Sequence, residues 1–328
     1  MKEVNSNFDV LKYLMSILIV MIHVGWSETI VITRAAVPIF FILSSYFFFS
    51  KINNKEFESQ KLYYNKFLKR SIFLYLFWFV LLFPFTYFIR HWNELSFIEL
   101  FCELVVSCLF KKTFPGSWYI SAYILGISLA FVMRKQDKLY LIISVFCYLL
   151  CCLMSNYHGL LTYVPYSEDI NILFEDYNVY NSFPAGLLFI YIGKKCSEQK
   201  TIQYSRNAAI GIVIGLILLY FENLLIEYIG ERQTNDCYLS MCILAPSVFL
   251  FVKQLPHIKI IKDALVLRKM STIYYCTNYS IIVVLNYLFK GLDSGVLFVV
   301  TLIICTLISI SLIKLAKYKK FSFCKYSY

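Results

Sequence analysis

The stretch FDVLKYLMSILIVMIHVGWSETIVITRAAVPIFFILSSYFFFS, residues 8–50, decides how the chain is read. It holds two apolar runs separated by Ser27, Glu28 and Thr29, with Lys12 and His23 inside the first run and Arg34 opening the second. Runs of about 20 apolar residues are long enough to cross a bilayer as helices. A cation at membrane depth is expensive unless it faces protein, water or a ligand, so Lys12, His23 and Arg34 are candidate functional residues on that ground alone. Lys12 and His23 lie eleven positions apart. At about 100° and 1.5 Å per residue that spacing returns to nearly the same helix face about 16 Å further along.

The composition agrees with this reading over the whole chain. Hydrophobic residues make up 59% of the 328 and charged residues only 16%, with a mean hydropathy of +0.66, whereas soluble domains run near half apolar and a quarter charged. The dyad alternation of a membrane barrel is absent, which leaves helices as the spanning structure. The expected fold is an all-α integral membrane protein, one domain over residues 1–328, with the lipid bilayer as its solvent. The first run is interrupted by Lys12 and His23 and no small-residue cleavage site follows, so it is expected to stay as the first span rather than leave as a signal peptide.

Cutting at polar segments predicts about ten transmembrane helices, near residues 10–27, 31–50, 71–90, 117–133, 139–155, 180–194, 207–228, 238–253, 272–290 and 295–315. Placing the N-terminus inside puts 25 of the 31 Lys and Arg residues on the inner side. Basic residues collect in cytoplasmic loops, so both termini are expected to be cytoplasmic, and the net charge of +11 reads as topology rather than as a nucleic-acid surface. Residues 91–116 carry FIELFCELVVSCLF, which suits a helix lying along the membrane surface. Residues 156–179 form an outer loop bearing Glu168, Asp169, Glu175 and Asp176, where glycan contact or a solvated cap both fit. The eleven cysteines are scattered, form no CxxC pair and read as packing residues; no metal site or disulfide framework is expected.

Phe8-Asp9, Leu11-Lys12, His23, then Arg34-Ala35-Ala36-Val37-Pro38-Ile39-Phe40-Phe41 and Ser44-Ser45-Tyr46 resemble the opening of the acyltransferase family 3 proteins. These are bacterial multi-pass O-acyltransferases of surface polysaccharides and other envelope glycans. The resemblance continues in order through Arg70-Ser71-Ile72-Phe73-Leu74-Tyr75-Leu76-Phe77-Trp78, Gly116-Ser117-Trp118-Tyr119-Ile120, the block from Phe183-Pro184 to Gly193, and Leu267-Arg268-Lys269-Met270-Ser271-Thr272-Ile273-Tyr274-Tyr275. Departures are specific. Phe67 stands at the first place of the family's Arg-x-x-Arg pair, with Arg70 at the second and Lys66 and Lys69 one step away; Leu74 replaces a proline, Ser45 a glycine, and Asn278 a histidine. Lysine carries the charge of arginine but not its planar fork.

What the resemblance implies is transfer of an acyl group, acetyl from acetyl-CoA, to a hydroxyl of a surface or capsular polysaccharide or its lipid-linked glycan precursor, at the plasma membrane of a bacterium. His23 would then be the catalytic base or nucleophile, where a lone histidine would otherwise read as a buried structural one. Lys12, Lys66, Lys69 and Arg70, on the inner side, would bind the phosphates of the acyl donor. Topology puts Arg34, Glu222, Trp118 and Tyr119 near the depth of His23. Glu222 is expected to orient His23 or to form an ion pair with Arg34, and Arg34 to steady a developing oxyanion or to snorkel. Trp118 and Tyr119 fit either a sugar platform or an interfacial belt. A transporter or flippase of lipid-linked glycan, and a small-molecule acyltransferase of the same family, remain open alternatives.

Overall fold

The structure, a computed structural model, describes residues 6–26, 30–163, 178–199, 205–256 and 264–328. Among the described residues every regular element is helical and no strand occurs. The eleven α-helices are α1 (Ser6–Met21), α2 (Ala36–Ile52), α3 (Phe57–Ile89), α4 (Phe97–Leu109), α5 (Ser117–Val132), α6 (Asp137–Met154), α7 (Phe183–Glu198), α8 (Ser205–Ile229), α9 (Met241–Gln254), α10 (Ala264–Leu288) and α11 (Ser294–Leu315). The acidic residues expected at 168, 169, 175 and 176 lie outside the described residues.

Among the described residues, six helical segments are long and apolar enough to cross a membrane: Ser6–Trp26, Val31–Ile52, Phe57–Ile89, Asp137–Met154, Arg206–Ile229 and Ser294–Leu315. Helices α5 and α9 are apolar but shorter. Helix α7 is short and ends in Lys194, Lys195 and Glu198, and α10 carries Arg268, Lys269 and a run of polar residues. All ten expected spans thus overlap a helix, while six meet the measure of length and apolarity. The boundaries differ where polarity misleads. Helix α3 starts at Phe57 rather than near residue 71, and α10 at Ala264 rather than near 272. Neither FESQKLYYNKFLKR nor ALVLRKMS contains a glycine or proline to stop a helix, so the hydrogen-bonded ladder runs on past the apolar stretch.

The centre of the bundle is the α2–α7 pair, from which Phe41, Ile42, Leu187 and Ile190 are fully buried. Small residues on α7 allow the close approach. A Cβ added at Gly186 would lie 2.6 Å from Phe41 Cζ, so only glycine fits under that ring. Helices α5 and α6 cover the other faces of α7. On the far side α1 packs along α10, and α10 along α11; α8 pairs with α9, which also touches α2. Many apolar side chains of α3 and α8 face outward, Val80, Phe88, Tyr220 and Phe221 among them, as lipid-facing helices require. Helix α4 opens with a Ser96–Glu99 capping box and exposes Phe97, Ile98 and Phe101.

Candidate active site

Helix α1 does not end cleanly. Its last turn widens into a π-helical turn, Ile22–Trp26, in which Gly25 takes a φ of 95°. With Gly25 in the left-handed region the helical ladder stops there and the chain leaves the axis of α1. It turns His23 toward α10, where its Nδ1 lies 2.5 Å from Asn278 Oδ1. The Tyr279 ring meets the imidazole edge to face at 5.1 Å. Lys112, from the α4–α5 connection, sits with Nζ 5.7 Å from the centre of the same tyrosine ring. Arg34, Lys112 and Asp236 are all close enough to act on His23 electrostatically. Burial and the neighbouring Arg90 hold the Lys112 ammonium below the usual lysine range.

Near this histidine is a small cavity of about 40 Å³, partly open to solvent; His23 is not itself among its walls, which its neighbour Ile22 joins. Ile22, Arg34, Pro38, Trp118, Tyr180 and Asp236 are among its walls. Arg34, in the 3-10 turn Val31–Ala35 ahead of α2, forms an ion pair with Asp236. The other carboxylate oxygen of Asp236 accepts from Asn181 Nδ2 at 3.4 Å. Its lining mixes the polar side chains of Arg34, Asn181 and Asp236 with the rings of Trp118, Tyr148 and Tyr180, a combination that offers a hydroxylated group both hydrogen bonds and apolar contact.

Two expectations for this end need correction in their geometry. Glu222 pairs with neither Arg34 nor His23. Its carboxylate accepts from Tyr157 Oη at 2.6 Å, Leu239 N at 2.5 Å and Ser240 N at 2.8 Å. Two backbone donors at the N-terminus of α9 and the Tyr157 hydroxyl satisfy it, and that end of the helix dipole favours a negative charge. Asp236, which the sequence reading passed over, takes the place beside Arg34. Tyr119 departs from Trp118: it is directed into the bundle, where it packs on Phe41 at 4.6 Å and Tyr275 at 5.2 Å, and its hydroxyl lies 3.3 Å from that of Ser44. Successive residues of a helix point about 100° apart, so one can line a cavity while the next cannot.

At the other end of α1 the cations are divided. Lys12 lies over the Phe47 ring at 5.4 Å and interacts electrostatically with Arg70, Arg268 and Asp9. Arg268 clasps the fully buried Asp9 with two hydrogen bonds, of 2.6 and 3.0 Å. Arg70, at an exposed position on α3, and Arg268 of α10 are the cations close enough to act on Lys12. Lys66 and Lys69 are exposed on α3 and are not drawn into this group. Among the described residues, no three His, Cys, Asp or Glu side chains converge as a metal ion would need.

The family model described as an acyltransferase domain, Acyl_transf_3, matches residues 5–314. The chain belongs to acyltransferase family 3. The match covers both ends of α1, the cavity and all eleven helices apart from the last residue of α11. The domain is therefore an acyltransferase domain built of membrane helices. A curated relative, an amino-acid racemase of Enterococcus faecalis, is 24% identical over 273 residues, covering 78% of this chain and 36% of that protein. The chain thus spans little more than a third of the relative's length, and the racemase name describes that larger protein. No solved structure matches the chain. Within the acyltransferase 3 domain, Asn278, Asp236, Arg268 and Lys112 were not recognised as site residues from sequence. In the sequence Asn278 stands out only as a departure from the family pattern and Arg268 only as part of a matching block.

Proposed function

We propose that this acyltransferase 3 domain crosses the membrane ten times with both ends in the cytoplasm, and transfers acetyl from acetyl-CoA to a hydroxyl of an envelope glycan or its lipid-linked precursor. The inner membrane of a bacterium is its place in this reading. One observation carries it: Lys12, at one end of α1, lies near Arg70 of α3 and Arg268 of α10, while His23 follows the other end, near the cavity that Ile22, Arg34 and Asp236 line. Lys12 and His23 are about 16 Å apart along the helix, a distance that the pantetheine arm of coenzyme A spans. The cations would hold the donor's phosphates, and His23 would receive the proton of the acceptor hydroxyl.

Trp118, Tyr180, Arg34 and Asp236 support a carbohydrate as the acceptor, because sugars present apolar ring faces and hydroxyl edges to such walls. Arg34 would steady negative charge as the thioester carbonyl is attacked. The amino-acid name of the Enterococcus relative favours a second acceptor class, a small hydroxylated molecule or amino acid.

The test is transfer of radiolabelled acetyl from acetyl-CoA in membranes containing the intact chain or the His23→Ala variant, with glycan and small-molecule fractions counted separately. Label in the glycan fraction that disappears with the variant is the expected result. Label confined to small molecules moves the acceptor to the second class, and undiminished labelling by His23→Ala refutes the assignment of His23.

A further inference from the structure

We propose that Asn278 is a positioning residue that selects the tautomer of His23, so that Nε2 is the nitrogen available for the reaction. This rests on the reading of His23 as the base of the acyl transfer. It begins with the amide rather than the imidazole. Asn278 is fully buried in α10, and its Nδ2 donates to the carbonyls of Tyr274 at 2.7 Å and Tyr275 at 3.0 Å, one turn earlier in the same helix. An NH2 group facing two carbonyl oxygens is in the only orientation that satisfies them, since the reversed amide would set oxygen against oxygen. The oxygen of Asn278 is thus the atom presented to His23, at 2.5 Å from Nδ1.

A carboxamide oxygen only accepts, so Nδ1 must donate and must carry the proton. In neutral imidazole the other nitrogen then holds the lone pair. His23 Nε2 has no hydrogen-bond partner among the described residues, which leaves that lone pair free for a ligand. The tautomer that water favours, protonated on Nε2, would place two lone pairs against each other and leave a buried acceptor unpaired at a cost of about 1–3 kcal/mol.

The choice has a chemical consequence for the transfer. The acceptor O–H proton moves to Nε2 as its oxygen bonds to the thioester carbonyl carbon. The C–S bond then breaks, and Nε2–H returns the proton to the departing thiolate, giving ester and thiol with His23 restored. During this cycle Asn278 keeps the ring oriented. Being neutral, it stabilises the intermediate imidazolium less than a carboxylate would. The charged groups that face His23 are Arg34 ahead of α2 and Lys112 ahead of α5, both of which oppose an imidazolium, and Asp236 ahead of α9, which favours it.

The direct experiment is nitrogen-15 NMR of the full chain in bilayers, with labelled histidine and His23→Gln to assign the signal among the four histidines. The expected spectrum at neutral pH shows His23 protonated on Nδ1, and Asn278→Ala shifts it toward the Nε2–H form. A His23 protonated on Nε2 in the intact chain overturns the proposal. Kinetics supply the second readout. Asn278→Ala is expected to lower kcat at least about tenfold, as a misplaced tautomer does, with the KM for acetyl-CoA within about twofold. Asn278→Asp restores an acceptor at the same point, so it is expected to recover part of kcat and to move the acid limb of the pH profile upward. Unchanged kcat in Asn278→Ala, or an Asp variant as poor as Ala with an unmoved profile, also overturns it. Loss of the His23 reading itself is seen separately, as full activity in His23→Ala.

Discussion

Arg34 and Asp236, 202 positions apart in the chain, meet as an ion pair on the wall of the cavity that also carries Trp118 and Tyr180. Their side chains are 14% and 20% exposed, so removing one leaves the other largely out of water. Asp236→Ala is expected to lower stability by about 1–3 kcal/mol, below the full cost of breaking a dry pair because solvent still reaches it. Replacing both, as Arg34→Met with Asp236→Leu, is expected to destabilise less than the sum of the single changes, although transfer is lost in each. Thermal unfolding in detergent across the four proteins of this double-mutant cycle reads the coupling; strictly additive effects would show that the pair contributes nothing.

Glu222 should behave as a structural cap. Glu222→Ala strands the N–H groups of Leu239 and Ser240 and the Tyr157 hydroxyl, and is expected to cost about 1–3 kcal/mol in the same unfolding assay. Glu222→Gln keeps an acceptor but loses the charge at the helix N-terminus, with an expected cost of about 0.3–1 kcal/mol. Acyl transfer per folded molecule is expected to stay within about twofold of the intact chain in the Gln variant. A hundredfold fall in kcat with stability unchanged would return Glu222 to the chemistry.

The basic residues near the start of α1 and in α3 should separate into two classes. Lys12→Ala and Arg70→Ala are each expected to raise the KM for acetyl-CoA about tenfold, the effect of one charged hydrogen bond to phosphate, with kcat little changed. Lys66→Ala and Lys69→Ala, at exposed positions outside the Lys12 group, are expected to change it by less than about twofold. Initial rates over a range of acetyl-CoA concentrations distinguish the classes, and equal effects at all four positions would mean that the donor is drawn by overall charge alone.

Gly25 holds the π turn that aims His23. Its φ of 95° strains any residue with a Cβ, while nothing lies within 4 Å of where that Cβ would stand. Gly25→Ala is therefore expected to cost about 1–2 kcal/mol through backbone conformation alone. It should reduce kcat through a displaced imidazole, which the nitrogen-15 signal of His23 would report. An unchanged rate and signal would show that the turn does not set the ring.

The candidate residues that the sequence singles out carry a local signal. Lys12, His23 and Arg34 stood out because each interrupts an apolar run, and Trp118 because it opens one. Helix edges were less legible: α3 and α10 continue through polar stretches that hydropathy treats as loops, because a helix ladder closes wherever no residue breaks it. Glu222 was set beside His23 or Arg34 because depth in the membrane was the only coordinate that the sequence supplied.

The amino-acid sequence by itself determined the class of molecule, its helical character and the family block by block, since these depend on composition and on spacings of a few residues. Only the tertiary structure decided which groups meet. Asn278 reaches His23 across 255 positions, Arg268 reaches Asp9 across 259, and Asp236 reaches Arg34 across 202. These pairs are set by how α1 lies along α10 and by how the segment before α9 folds over the start of α2. Packing of helix faces selects among polar residues of similar depth, and no pattern along one helix records which face of another it will meet.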